Sequence, residues 1–378
     1  MKVLYVQGAA ERGGAERVLL ALLEALDRGA FQPIVASLAE GPFPEEVASL
    51  GVEVLALPSP GRLRQVARIP GAVRALREAI EEVGADVVHA NGEKVSIYAG
   101  WAARAACRPC VFWLQDAPGG APAARLVQAI MACTPRSAAV ACSEWMARAF
   151  RRAYGIPALT IHHGVSLRDL PTTAHLARST TLGRIKADAG WPEDALVALH
   201  AARLQRWKGT EVFLRAARLA SHIPKLRFLV AGGALYGRER EYAASLPDLA
   251  SKLGLGEKAF FTGHRSDLLE FAAGSDMMAH CSLRPEPFGM VVVESMALGL
   301  PVIATRTGGP MEIIEDGCTG LLVPPGDAGA LAAAMAGLAA SPQRRRQIGE
   351  AAARAAAERF SAERMARRFE ALYRRIVV

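Results

Sequence analysis

The chain has 378 residues, 51% of them hydrophobic and 22% charged, which suits two packed domains and excludes a disordered or fibrous protein. Its net charge is +8, but residues 341–378 hold ten Arg and four Glu, so the rest of the chain carries only +2. No aromatic residues interleave with those arginines in a recognisable motif, which argues against nucleic acid as a partner. An anionic membrane surface is the partner such a segment suits.

The opening residues 1–6 are too short for the apolar stretch of a signal peptide. The longest nearly uncharged runs, 328–340 and 287–293, fall short of the ~20 residues that cross a bilayer. A soluble, cytoplasmic protein is expected, at most peripheral at the inner membrane face. Six cysteines, at 107, 110, 133, 142, 281 and 318, are expected to remain thiols. Cys107-Arg108-Pro109-Cys110 has the spacing of a redox or zinc pair, but no second pair lies at ligand spacing. It reads as a helix-to-strand turn.

Short apolar runs alternate with longer helical patterns along the whole chain. The expected strands are 3–6, 34–38, 54–57, 87–89, 111–114, 138–142 and 159–161, then 196–201, 227–230, 259–261, 277–279, 302–304 and 320–323. Segments with 3.6-residue apolar spacing lie between them, among them 15–26, 72–83, 210–220 and 291–298. This alternation predicts α/β architecture: two Rossmann-like doubly wound domains, each a parallel sheet covered by helices. The seam is expected near 170–194, with domain one at 1–170, domain two at 171–355 and a last helix at 356–378. Met365, Phe369, Leu372 and Tyr373 fall on one side of that helix, so it needs a surface to cover. Ligands of open parallel sheets bind beyond the carboxyl ends of the strands, which makes the cleft between the domains the expected site.

Three loops there carry chemistry. Glu286-Pro287-Phe288-Gly289-Met290-Val291-Val292-Val293-Glu294 places two carboxylates eight positions apart, one in a loop and one in the second turn of a helix beginning near Gly289. Free N–H groups at such a helix start suit a phosphate. A carboxylate deeper in the helix can accept from a ribose diol, and one in the loop from sugar hydroxyls. Both glutamates can equally be read as support for the helix dipole. Arg203-Leu204-Gln205-Arg206-Trp207-Lys208-Gly209 follows a strand, where Arg203 and Lys208 can hold a diphosphate and stabilise the charge growing on it; a solvated loop is the plain alternative. Gly8 with Gly13-Gly14-Ala15-Glu16 is glycine-rich, but it is neither GxGxxG nor a P-loop. That argues against a nicotinamide dehydrogenase and an NTPase.

Taken in order, Gly13-Gly14-Ala15-Glu16, Arg203-x4-Lys208-Gly209, Glu286-x7-Glu294 with Phe288-Gly289, Thr307-Gly308-Gly309-Pro310-x-Glu312 and Asp316-Gly317-x-Thr319-Gly320 resemble retaining glycosyltransferases of family 4, of the GT-B fold. The resemblance covers nearly the whole chain. It implies that Glu294 binds the ribose, that Glu286 and the backbone of Phe288, Gly289 and Met290 hold the donor sugar, and that Arg203 and Lys208 bind the diphosphate. It further implies that Gly232-Gly233 and Gly263-His264-Arg265 wall the base pocket, that Gly14 approaches the phosphates from the acceptor-side domain one, and that the last helix packs back on that domain. Domain two is then the donor domain.

The acceptor-side pattern Asp-x-x-His-x-His reads here Asp86-Val87-Val88-His89-Ala90-Asn91, with His89 the catalytic candidate and a core histidine the alternative. Gln115 stands where similar sequences often carry His, and His163-Gly164-Val165-Ser166 replaces the usual Asn-Gly-x-Asp. The resemblance implies transfer of a hexosyl or similar unit from an NDP-sugar to a hydroxyl acceptor, in glycan, lipid-linked saccharide or glycosylated-metabolite biosynthesis. With no carboxylate nucleophile evident on the acceptor side, front-face substitution is favoured. No Asp-x-Asp site calls for a metal, and no cofactor beyond the donor is expected. A non-hydrolysing sugar-nucleotide epimerase and a catalytically silent nucleotide-sugar-binding protein are the alternatives.

Overall fold

A computed structural model describes residues 1–11, 13–59, 69–118, 121–155, 157–167, 183–234, 239–265 and 267–377, with the side chains of 121–125 left aside. The chain divides into two compact units, Met1–Ser166 with Ser361–Val378, and Leu167–Phe360. Part of the expected seam lies outside the described residues.

The first unit is built on seven strands: β1 Lys2–Gln7, β2 Gln32–Ser37, β3 Glu53–Ala56, β4 Val87–Asn91, β5 Cys110–Leu114, β6 Ala138–Ala141 and β7 Ala158–Thr160. All pair in parallel in the order β3-β2-β1-β4-β5-β6-β7. The inner strands are buried along nearly their whole length, which is why they read as continuous apolar runs without alternation. Helix Ala362–Val377 belongs to this unit and buries Met365, Phe369, Leu372 and Tyr373. Side chains of this size each contribute roughly 1.5–3 kcal/mol on burial. The helix also docks through Glu370, whose Oε1 accepts the Asp27 N–H at 2.9 Å. Its apolar stripe has found the surface it needed.

The second unit has six parallel strands: β8 Leu196–Ala201, β9 Leu226–Ala231, β10 Ala259–Gly263, β11 Met277–His280, β12 Val302–Thr305 and β13 Leu321–Val323. Their order is β10-β9-β8-β11-β12-β13. Phe213, Leu214, Phe228, Met277 and Met335 lie in its core.

The basic segment 341–378 is two helices and not one. Pro342–Arg359 stays in the second unit, where Arg359 donates to the Glu312 carbonyl at 2.6 Å and to Glu315 Oε1 at 2.9 Å. Phe360 ends it, fully buried and edge-on to Phe288. The charge that looked like one feature is therefore divided between the units. All six cysteines are free; Cys107 is exposed in the turn and Cys110 is buried at the start of β5. Among the described residues no helix is long and apolar enough to cross a membrane.

Candidate functional site

β8 and β11 are neighbours, although two strands separate them in sequence. Strand order reverses at this point, the place where open parallel sheets bind their ligands. The loop after β8 carries Arg203 and a short 3-10 turn, Arg206–Lys208, before helix Thr210–Ala220. The loop after β11 carries Glu286 and leads into helix Met290–Ala297. The two loops are tied together where the Leu283 N–H donates to the Trp207 carbonyl at 2.7 Å. Gly209 has φ +72°, and a Cβ there would overlap the Cys281 carbonyl oxygen, so glycine is required for this approach. The loop after β12 closes over Glu286 in the same way: Gly309 N–H donates to the Glu286 carbonyl at 2.8 Å, and a side chain at Gly308 would strike the Glu286 backbone.

Lys208 and Glu286 meet as an ion pair between side chains only 12% and 11% exposed. The ammonium also lies 4.2 Å from the centroid of the Trp207 ring. Burial, and after it the like charge of Arg203, pulls Lys208 down to about 7. The carboxylate it touches opposes that fall and favours the charged pair. Arg203 itself is exposed. The second oxygen of Glu286 is held by His280 Nε2 and by Ser282 Oγ at 3.1 Å. Neither His280 nor Ser282 is part of the motifs read from the sequence. The available signal was a histidine ending the otherwise apolar strand Met277–His280.

The remaining donor-side residues are distributed around this pair. Glu294 is the fifth residue of helix Met290–Ala297 and is buried. Gly289 is its N-cap, with no side-chain oxygen capping the helix, and Phe288 is buried beside it. The ends of β8, β9 and β10 are stitched by Leu204 N–H to Gly233 O at 3.0 Å and Gly232 N–H to Gly263 O at 2.9 Å. His264 is exposed next to Gly233. Arg265 is engaged elsewhere: it holds Asp267 through two hydrogen bonds of 2.8 and 2.6 Å at the start of helix Leu268–Gly274. The Asp316–Gly320 stretch is a turn before β13, in which Asp316 accepts from Leu322 N–H and Thr319 from Glu315 N–H, both at 2.9 Å. It packs rather than reacts.

In the first unit, Gly14 opens helix Gly14–Ala25 with clear space over its Cα. Glu16 accepts the Gly13 N–H at 3.0 Å, and burial raises its pKa, with Asp116 adding to the rise. The catalytic expectation for His89 is corrected. It is fully buried, its Nδ1 is 2.6 Å from the Tyr373 hydroxyl, and the rings of Tyr5, Trp113 and Phe369 surround it. Burial pulls its pKa to about 3. A neutral imidazole sealed beneath helix Ala362–Val377 is a core residue. Asn91 and Gln115, at the ends of β4 and β5, are buried and bonded to each other, Gln115 Nε2 donating to Asn91 Oδ1. Among the described residues no cluster of three or more His, Cys, Asp or Glu suits a metal ion.

Residues 183–355 match the family described as Glycosyl transferases group 1, and residues 12–169 match Glycosyltransferase Family 4. The chain belongs to glycosyltransferase family 4. Over 183 residues it is 39% identical to D-inositol 3-phosphate glycosyltransferase of Saccharomonospora viridis, covering 47% of this chain and 42% of that protein. N-acetyl-alpha-D-glucosaminyl L-malate synthase of Bacillus anthracis is 28% identical over 191 residues, with 50% and 48% covered. The chain thus spans less than half the length of these curated relatives. Among solved structures, Anabaena HepE in complex with UDP and glucose superposes with a TM-score of 0.83 at 27% identity, covering 98% of both chains. A glycosyltransferase from Rickettsia africae superposes at 0.87 with 22% identity, covering 100% of this chain and 98% of that one, which speaks to the fold alone. The fold of this family 4 chain is GT-B.

Proposed function

We propose that this chain transfers a hexosyl or similar unit from a nucleoside-diphosphate sugar to a hydroxyl acceptor with retention of anomeric configuration. The observation that carries the reading is the mostly buried Lys208–Glu286 ion pair, which joins the loops leaving β8 and β11 where strand order reverses in the second unit, with Arg203 exposed on the same loop as Lys208. Glu286 neutralises one positive charge on this loop, and the like charge of Arg203 leaves a second for an incoming anion such as a diphosphate. Helix Met290–Ala297 adds its N-terminal dipole from Gly289. Glu294 then takes the ribose, and Glu286 with the Phe288–Met290 backbone takes the sugar. Relatives named for transfer to inositol phosphate and to malate, and a neighbour solved with UDP-glucose, support a hydroxyl acceptor and a nucleotide-sugar donor.

In the front-face step the bond from the anomeric carbon to the diphosphate oxygen breaks, and a bond to the acceptor oxygen forms on the same face. The acceptor's proton passes to the departing phosphate oxygen. Arg203 and Lys208 stabilise the charge on the leaving group, so no metal is needed for that purpose.

A thermal-shift screen against UDP-, GDP- and ADP-sugars, run with excess EDTA, tests this reading. One base class is expected to raise Tm, because a ligand at a hundredfold excess over Kd adds about 2.7 kcal/mol. Absence of any shift, or a shift that vanishes with the chelator, would count against it.

The exposed arginines of helix Ala362–Val377, Arg364, Arg367, Arg368, Arg374 and Arg375, carry a second part of the proposal. Its apolar side is buried, so attachment to anionic lipid would be electrostatic only, at about 1 kcal/mol per residue near the surface. Co-sedimentation with phosphatidylserine vesicles is expected at low salt and lost at high salt. No binding at low salt would exclude it.

A further inference from the structure

Glu286 is buried and is gripped on both oxygens. Oε2 accepts from His280 Nε2 and from Ser282 Oγ, and Oε1 meets the Lys208 ammonium. A carboxylate offers about four lone-pair directions, two on each oxygen. His280 and Ser282 fill those of Oε2, and Lys208 takes one on Oε1. One direction on Oε1 is left for a hydroxyl from outside.

His280 is the last residue of β11 and is buried. Its Nδ1 lies 3.5 Å from Thr305 Oγ1, at the end of the neighbouring strand β12. The Glu286 carboxylate can only accept, so the His280 proton sits on Nε2 and Nδ1 is left to accept from the Thr305 hydroxyl. Burial first, then the charge of Lys208 and the neighbouring His200, holds His280 well below the ordinary histidine range. The contact is a neutral N–H on a carboxylate, and Lys208 supplies the compensating charge.

We infer that His280 is a positioning residue for the donor sugar: anchored by Thr305 and assisted by Ser282, it fixes the Glu286 carboxylate so that Oε1 presents its remaining lone pair to a sugar hydroxyl. The inference rests on the donor-site reading above. It assigns Thr305 and Ser282 as the supports that keep the carboxylate from rotating toward Lys208 alone.

Calorimetric titration with UDP-glucose and with UDP tests it, because both place base, ribose and phosphates while only the first sets a hexose against Glu286. If the screen selects guanine or adenine, GDP-glucose with GDP or ADP-glucose with ADP takes their place. His280→Ala is expected to weaken UDP-glucose about tenfold, the scale of one hydrogen bond to a charged group, and to leave UDP affinity nearly unchanged. His280→Gln, whose amide N–H can reach the same oxygen, is expected to recover most of the loss. Equal weakening of both ligands, or unaltered UDP-glucose affinity in His280→Ala, or no recovery in His280→Gln, would overturn the inference while leaving the donor reading standing. A wild-type protein that binds none of these nucleotides would overturn the donor reading, and this inference with it.

Discussion

Arg203→Ala and Lys208→Ala are each expected to lower turnover by ~10²-fold or more, the scale of losing one preorganised donor to a developing oxyanion. Their effects on stability are expected to differ. Arg203 is exposed, so its removal should leave Tm nearly unchanged. Lys208 faces Glu286 in a setting where both side chains are mostly buried, so its loss strands a carboxylate without its counter-charge. Breaking such a pair costs several kcal/mol when fully buried, and about 2 kcal/mol is expected here, where each partner keeps some exposure. Lys208→Met combined with Glu286→Gln removes the stranded charge and should restore much of the lost Tm but none of the turnover. Near-normal turnover in both single variants would remove their assigned roles. An unchanged Tm in Lys208→Ala would contradict the ion pair.

That difference between two neighbouring basic residues was invisible in the sequence, where Arg203 and Lys208 looked equivalent. The strands were legible because each is a short apolar run whose neighbours in the chain are helical, a local property. The helix Thr210–Ala220 was equally legible, since its period-3.6 stripe and the preceding Gly209 lie within a few residues of each other. What lay beyond reach were contacts between residues far apart in sequence. Lys208 and Glu286 are 78 positions apart and meet only because β8 and β11 are adjacent. His280 gave only a weak signal, because a single polar residue ending an apolar strand is compatible with many environments. His89 misled for the reverse reason. Its place in a recognisable pattern suggested chemistry, while the Tyr373 hydroxyl that seals it comes from 284 residues further on. The break was approximately legible: a last helix was expected from 356, and the chain breaks at Phe360, whose ring is buried beside Phe288 between two Arg- and Ala-rich helices.

The burial of Lys208 also makes the proposed reaction sensitive to alkali. The diphosphate needs the ammonium form, and burial together with Arg203 lowers the pKa toward about 7, while Glu286 resists that fall. The sign follows directly: a lysine that must be charged is lost to the reaction as pH rises through its depressed pKa. With kcat/KM reporting the free enzyme, the profile for the donor should fall on its alkaline side, with an apparent pKa between about 7 and the ordinary lysine value of about 10.4. Two pH units beyond that point the loss is ~10²-fold, since each unit removes nine-tenths of the charged form. Among the groups packed against the site, His200, at about 4, and His280, held well below the ordinary histidine range by burial, are already neutral, and burial pushes the Cys281 thiol up, away from ionisation. Lys208→Arg supplies the control, because guanidinium stays charged throughout the range, although its planar fork will not sit as the ammonium does. Its rate should be lower at neutral pH and its alkaline limb absent. A wild-type profile flat to pH ~11.5, or a limb that persists at the same pKa in Lys208→Arg, would show that the charge of Lys208 is not what the donor diphosphate requires.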